Sequence, residues 1–217
     1  MALIESSQKD LFLITLLKAA KEIEIEVTTE QANTLLQYLE LILKWNKAFN
    51  LTAIRQPKDM LVKHLIDSLA IAPYISGKNI LDVGTGAGLP GIPMAILFPN
   101  KQFSLMDSNG KKTRFLTQSK IELGLSNINI INARVEDIKE DLLYDQIMSR
   151  AFTALDNMVG LCAHLLKADG QFLAMKGLEL KDELQSILPP FKVEKSVQLN
   201  VPGCEEQRHL IIIARSN

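Results

Sequence analysis

The sequence predicts an α/β fold in which a mostly parallel sheet follows a block of helices, and three observations carry that prediction. The apolar run Asn79–Val83 breaks into a glycine-rich turn and then into a helical apolar spacing. From there onward, apolar runs of strand length alternate with helical ones, whereas before residue 76 only helical patterns occur. At 217 residues with 47% apolar content, the chain is long for one minimal domain and short for two full ones. A helical extension over residues 1–75 and an α/β domain over 76–217 is the expected division.

The helical extension reads as three patches: Asp10 to Ile23, Glu30 to Lys47 and Lys58 to Tyr74. In the second, Thr28 and Gln31 stand at capping-box spacing, and Ala32, Leu35, Leu36, Leu39, Ile42 and Leu43 recur on one face. The run Leu11 to Leu17 is too short to span a bilayer and is flanked by Glu5 and Asp10, so it reads as a core-facing helix of a soluble protein. Cys162 and Cys204 have no close partner and no CxxC spacing, which implies no metal site and no disulfide framework and fits a reducing cytoplasm. A net charge of -1 excludes the general footprint of a basic nucleic-acid-binding domain, so any RNA contact must come from a local patch.

In the second part, strand one, Asn79–Val83, leads into a helix starting near Pro90 and carrying Ile92, Ala95, Ile96 and Phe98. Strand two is Phe103 to Asp107, followed by a helix from about Asn109 or Gly110 that bears Phe115 and Leu116. Strand three is Ile128–Ile131 and strand four Asp145 to Ser149. A helix over Leu155 to Leu166 and a turn at Ala168-Asp169-Gly170 precede strand five, Gln171 to Met175. A helix from about Glu179 to Leu188 ends at Pro189-Pro190. The last strands, Val193 to Leu199 and Leu210 to Ala214, are joined through Pro202-Gly203 and should pair antiparallel. A seven-stranded, mostly parallel sheet ending in an antiparallel hairpin is the Rossmann-like shape of S-adenosylmethionine methyltransferases.

The turn itself narrows the ligand. Gly84, Gly86 and Gly88 alternate, whereas a dinucleotide fingerprint would need its third glycine at Leu89, and the Gly-Lys-Ser/Thr of a phosphate loop is absent. Gly-x-Gly-x-Gly resembles the loop that receives S-adenosylmethionine, a cofactor that needs close backbone approach rather than an anion nest. An acid at the end of strand two can accept from both hydroxyls of a ribose, and Asp107 stands there, roughly 20 residues beyond the turn. Capping of the following helix is the competing role for Asp107. Val135 and Glu136, after strand three, fall at the adenine end, where Glu136-Asp137 also reads as a solvated acidic turn.

Four stretches resemble the bacterial glucose-inhibited division protein B family, the 16S ribosomal RNA guanine-N7 methyltransferases that modify one guanine of the 530 loop. They are Trp45 to Arg55, His64 to Leu69, the glycine loop extended through Leu89-Pro90-Gly91-Ile92-Pro93, and Ser149-Arg150-Ala151-Phe152 with Ala174-Met175-Lys176-Gly177. The resemblance implies contacts to S-adenosylmethionine at Gly84, Leu89, Val135, Glu136 and Arg150. It implies 16S rRNA, within the 30S subunit, as the partner, and a cytoplasmic enzyme.

The chemistry fits what the sequence lacks. Guanine N7 has an in-plane lone pair and no proton, so methylation there needs positioning rather than a base. No Asn-Pro-Pro-Tyr or Asp-Pro-Pro-Tyr segment serves an exocyclic amine, and no Pro-Cys or Thr-Cys pair serves a pyrimidine ring. Arg150 and Lys176, ending strands four and five, are the candidate catalytic cations, Arg150 toward the cofactor and Lys176 toward the acceptor edge of the guanine. Either also reads as a surface cation paired with a nearby acid. Lys44, Lys47, Arg55 and Lys58 with Trp45, Asn46 and Asn50 form a candidate RNA patch, against which stands a packed helix end with a wet basic face. His64 reads more readily as an ordinary helix residue, and Arg208-His209 as an RNA contact or a solvated turn. A small-molecule methyltransferase and a noncatalytic ribosome-assembly factor are the rival functions.

Overall fold

The computed structural model describes residues 4–139, 143–150, 154–177 and 181–216. Two long helices open the fold, Ser6–Glu22 (α1) and Thr29–Phe49 (α2). The capping box at the start of α2 forms as expected: Thr28 Oγ1 accepts from Gln31 N–H, and Gln31 Oε1 accepts from Thr28 N–H. At its other end Asn50 takes the left-handed conformation that commonly stops a helix.

The single helix expected over Lys58 to Tyr74 is instead a succession of turns. Pro57–Met60 (α3) passes into a π-helical segment, Leu61–Ile66, then into Asp67–Leu69 (α4) and a 3-10 turn, Ala72–Tyr74. Apolar spacing in a sequence cannot distinguish bonds to i+4 from bonds to i+5. Here three polar side chains, His64, Asp67 and Ser68, are buried together with Leu61, Leu65 and Leu69. π-Helical turns often mark places where a helix re-aims side chains for use.

The sheet contains seven strands: Asn79–Val83 (β1), Gln102–Met106 (β2), Ile128–Ile131 (β3), Tyr144–Arg150 (β4), Leu166–Lys176 (β5), Phe191–Gln198 (β6) and His209–Arg215 (β7). Their order is β3-β2-β1-β4-β5-β7-β6, parallel from β3 through β5, with β7 antiparallel to both β5 and β6. Between the strands lie Gly91–Leu97 (α5), Gly110–Glu122 (α6), Leu155–Cys162 (α7) and Lys181–Gln185 (α8). Several bounds depart from the sequence reading: α8 stops at Gln185, short of the prolines expected to end it, and β6 starts at Phe191 rather than Val193. α7 stops at Cys162 and gives way to a 3-10 turn, Ala163–Leu165. β5 begins at Leu166, which pairs with Tyr144 before the register jumps to Gln171 opposite Gln146, so Ala168-Asp169-Gly170 is a bulge inside the strand rather than a turn before it. Of the motif residues, Ala151, Phe152 and Glu179 lie outside the described residues.

Alternation along the strands divides the core. Ile80 and Leu105 point to a face covered by α1, α2, α5 and α6, whereas Leu81, Val83 and Met106 point to the face covered by α7. Residues of the helical extension, among them Leu35 and Leu39, share one apolar cluster with Ile92, Phe103 and Phe115. Buried Gln146 pins the chain where it enters β1: its Oε1 accepts from Ser76 and Gly77 N–H, and its Nε2 donates to the Tyr74 carbonyl. This amide, with three hydrogen bonds to the backbone, fixes the lead-in to β1 and its glycine turn.

α5 approaches β1 and β2 so closely that a Cβ on Gly91 would lie 2.2 Å from Leu105 Cδ2 and 2.7 Å from Asp82 Oδ2. Gly91→Ala is therefore expected to cost roughly 2–4 kcal/mol in urea unfolding. Gly160, inside α7 and exposed, has open space around its Cβ position. Gly160→Ala should stabilise by about 0.5–1 kcal/mol in the same measurement.

Candidate active site

The site is built at the carboxyl ends of β1, β2 and β3, beside the point where chain order reverses between β1 and β4. Gly84, Gly86 and Gly88 all have positive φ, which explains why this turn uses glycine at each alternate position. Inside the turn, Thr85 N–H donates to the Met106 carbonyl, and the Thr85 carbonyl accepts from Gly88 and Leu89 N–H. The glycines differ in what surrounds them. A Cβ on Gly86 would stand 4.0 Å from Lys112 Nζ, whereas one on Gly88 would strike Ile92 and Leu116 at 2.7–2.9 Å. Gly86 leaves space over the turn, and Gly88 lets α5 and α6 close beneath it.

Two carboxylates hold the turn. Asp82 is fully buried; its Oδ2 accepts from Thr85 Oγ1 at 2.5 Å and from Gly91 N–H at 2.8 Å, and its Oδ1 has no partner among the described residues. Burial pushes its pKa up to about 7, opposed by the Thr85 and Gly91 hydrogen bonds. Asp107, just past β2, accepts from Gly86 N–H at 3.0 Å and from Lys112 Nζ at 3.3 Å through Oδ2, and from Asn109 N–H at 2.9 Å through Oδ1. Asn109, not Asp107, caps α6, its Oδ1 accepting from Lys111 N–H. Asp107 instead carries a charge to the mouth of the turn.

Above the turn lies a cleft of about 390 Å³ lined by Val83, Gly84, Met106, Asp107, Ser108, Lys112, Ala133, Arg134, Val135, Glu136 and Leu161. Gly84, Asp107, Val135 and Glu136, four of the expected cofactor residues, meet in this one space. Gly86, Gly88, Leu89 and Arg150 do not line it, and the side chain of Leu89 packs in the apolar core. The lining combines apolar side chains, Val83, Met106, Val135 and Leu161, with the charged ones of Asp107, Lys112, Arg134 and Glu136, which suits a partly polar ligand such as a nucleoside.

The two candidate catalytic cations are engaged in ion pairs. Arg150 Nη1 donates to the Lys63 carbonyl at 2.8 Å and to Asp67 Oδ2 at 3.1 Å, and Lys176 Nζ lies 2.9 Å from Glu183 Oε2. Arg208 Nε donates to Asp67 Oδ1 at 2.7 Å, and His209 Nδ1 lies 3.2 Å from the Gly177 carbonyl, so neither is merely part of a solvated turn. In the Trp45 to Arg55 stretch the aromatic rings are structural: Trp45 stacks on Phe49 and meets Phe115 edge-on, while buried Asn46 accepts from Thr52 N–H. Lys44, Lys47, Arg55 and Lys58 are exposed. Cys162 is buried, and burial raises its thiol to about 12, which favours the neutral thiol there. Among the described residues no acidic, histidine and cysteine cluster could hold a metal, and no helix is long and apolar enough to cross a membrane.

Sequence reasoning assigned no role to Tyr38, Asp67, Asp82 or Lys112. Tyr38, fully buried in α2, donates its hydroxyl to the Ala87 carbonyl at 2.5 Å, tying the helical extension to the turn. Asp82 carried a readable signal, an acid inside an otherwise apolar strand. Tyr38 carried none, because its partner is a backbone carbonyl far along the chain.

This sheet order, with a glycine turn and an acid ending β2 around one cleft, defines a Rossmann-like methyltransferase. Solved structures share the fold. Magnesium protoporphyrin IX methyltransferase from Synechocystis, with bound SAM, superposes with a TM-score of 0.61 at 13% identity, over 82% of this chain and 97% of that one. Ribosomal protein L11 methylase from Lactobacillus delbrueckii subsp. bulgaricus gives 0.56 at 17% identity, over 75% and 80%. Residues 31–211 match the family described as GidB, rRNA small subunit methyltransferase G, and the chain belongs to that family. It is 50% identical over 203 residues to the ribosomal RNA small subunit methyltransferase G of Ectopseudomonas mendocina, covering 93% of this chain and 95% of the relative. The protein of the same name from Marinobacter nauticus is 50% identical over 192 residues, covering 88% and 90%.

Two tests follow from this geometry. Tyr38→Phe leaves the Ala87 carbonyl without its buried donor and should lower stability by about 1–2 kcal/mol in chemical unfolding. His64, buried in the π-helical segment with Nε2 2.9 Å from Thr52 Oγ1, has its pKa lowered to about 4, first by burial and then by Arg150. Because its folded pKa lies below the ordinary 6.5, its contribution is present above 6.5 and is lost as pH falls toward 4. Asp82 has the opposite sign: its contribution is present below the ordinary 3.8 and is lost as pH rises toward 7. The two slopes oppose each other between pH 4 and 6.5. Unfolding titrations of His64→Gln should therefore expose a loss of stability with rising pH in that window, steeper than in the parent protein.

Proposed function

We propose that this protein methylates N7 of one guanine in the 530 loop of 16S rRNA, acting on the 30S subunit with S-adenosylmethionine as the methyl donor. The observation that carries the reading is the convergence of Gly84, Asp107, Val135 and Glu136 on one cleft, in a chain about 50% identical to rRNA small subunit methyltransferases along most of its length. The residues fit the donor's adenosine. The Asp107 carboxylate stands where a ribose diol would donate, the space over Gly86 lets a ligand approach the backbone, and Val135 and Leu161 offer apolar contact beside Glu136.

When bound, S-adenosylmethionine supplies a methyl group on a positively charged sulfur. The protein's task is to hold that group in line with N7 and to exclude water. N7 carries no proton, so no side chain has to accept one, consistent with a cleft whose lining contains neither histidine nor cysteine. Arg150 ends β4 beside β1, where Ser149 Oγ donates to the Val83 carbonyl, and its positive charge lowers the pKa of Asp82 beneath the turn. These contacts support the reading of Arg150 as the cation on the cofactor side. Lys176, ending β5 and paired with Glu183, stands on the RNA side as a donor toward the O6 edge of guanine. The exposed cations Lys44, Lys47, Arg55 and Lys58 offer contacts to phosphates. Gly88 and Leu89 shape the turn from below, and Gly86 keeps the space above it open.

The deciding experiment incubates the protein with labelled S-adenosylmethionine and 30S subunits lacking the modification, followed by cleavage specific for 7-methylguanine. Label at one guanine of the 530 loop is expected; cofactor binding without label in the rRNA would overturn the reading. In parallel, Asp107→Asn should raise the calorimetric Kd for S-adenosylmethionine by about tenfold or more. An unchanged Kd would remove Asp107 from the ribose role.

A further inference from the structure

Asp67 lies outside the cleft and is nearly inaccessible, with 2% of its surface exposed, yet it bridges three separate parts of the chain. It follows the π-helical segment. Its Oδ2 accepts from Arg150 at the end of β4, and its Oδ1 accepts from Arg208, which immediately precedes β7. Lys63 and His64 of the π-helical segment also meet Arg150, through the Lys63 carbonyl at 2.8 Å and His64 Nδ1 at 3.4 Å. Arg208 Nη1 donates to the Gln207 carbonyl, and its Nη2 lies 3.9 Å from Glu206, which is itself bound by Lys63.

The charge balance of this cluster is informative. A buried carboxylate is neutralised by one guanidinium, and a second is not needed to satisfy it. With Lys63 matched to Glu206, Asp67 between two arginines leaves one positive charge in excess at the ligand end of the sheet. Both arginines keep about a fifth of their side-chain surface exposed, 22% and 20%. Their places in the fold differ. β4 lies against β1, whose end lines the cleft, whereas His209, next to Arg208, pairs with Lys176 at the end of β5, which does not line it.

We propose that Asp67 is a positioning residue that sets Arg150 toward the cofactor and Arg208 toward a phosphate or base-edge acceptor of the RNA, so that one buried carboxylate serves both substrates. The inference rests on the RNA methyltransferase reading above. The π-helical segment has a part in it: the segment delivers Asp67 between the two arginines while sending its own Lys63 carbonyl to one of them.

The test measures the calorimetric Kd for S-adenosylmethionine, the KM for unmodified 30S subunits and the melting temperature, for the parent protein, Asp67→Asn, Arg208→Gln and the double variant. An asparagine is uncharged and turns an NH2 donor, in place of one acceptor oxygen, toward one of the two guanidiniums. Asp67→Asn should raise both the Kd and the KM by about fivefold or more, because the residues act as one unit. Arg208→Gln should raise only the KM, and the double variant should have the KM of Asp67→Asn alone. The proposal is overturned if Asp67→Asn moves neither constant, if the two KM effects multiply, or if Arg208→Gln shifts the Kd as much as the KM. Should Asp67→Asn fail to fold, Arg208→Gln decides alone: a raised KM with an unchanged Kd supports the proposal, and any other pattern sinks it. A parent protein that binds S-adenosylmethionine without labelling 30S subunits defeats the RNA reading and the Arg208 arm with it; the Kd of Asp67→Asn then judges the Arg150 arm separately.

Discussion

A single buried oxygen organises the site. Asp82 Oδ2 accepts from the Thr85 hydroxyl within the glycine turn and from the first backbone N–H of α5, so strand, turn and helix are fastened at one atom. Burying a carboxylate without a cation is costly, and the rise of its pKa to about 7 expresses that cost. The arrangement also explains Gly91, since any side chain there would collide with the same oxygen. With the turn fixed, Asp107 can meet Gly86 from the neighbouring strand, and the cleft has a rigid floor.

The helical extension supports that floor from the far side. Tyr38 reaches through the apolar layer to the Ala87 carbonyl, and its ring stacks on Phe115 of α6, which also receives Trp45. The extension thus touches the glycine turn directly, and farther along it reaches the ends of β4 and β7 through Asp67. Helices that by sequence look like an appendage help to hold the glycine turn in place.

The sheet and its order of elements were legible because most strands carry a short run rich in apolar residues and several of the turns carry glycine or proline. β1 and β3 fall on the residues expected from those runs. β5 was less legible, because its first pairing at Leu166 is separated from the rest by a bulge whose Ala-Asp-Gly sequence imitates a turn. The π-helical segment was invisible for a different reason: its residues keep an apolar rhythm, and the change lies in which carbonyl each N–H chooses. Within the site, the acid at the end of β2 could be located from its distance to the glycines. The ion-pair partners of Arg150 and Lys176 could not. Asp67 is 83 positions from Arg150, and nothing local marks such a pair.

The place of β7 between β5 and β6 has a consequence for how the protein is made. β6 emerges from the ribosome first and has no neighbour until β7, synthesised later, slides between it and β5. Until then both β5 and β6 present unpaired edges, the kind of surface that invites association with other chains. Arg208 arrives with the same late segment. A nascent or prematurely ended chain can therefore possess the whole glycine turn and still lack the strand that joins the sheet and the arginine that completes the Asp67 cluster.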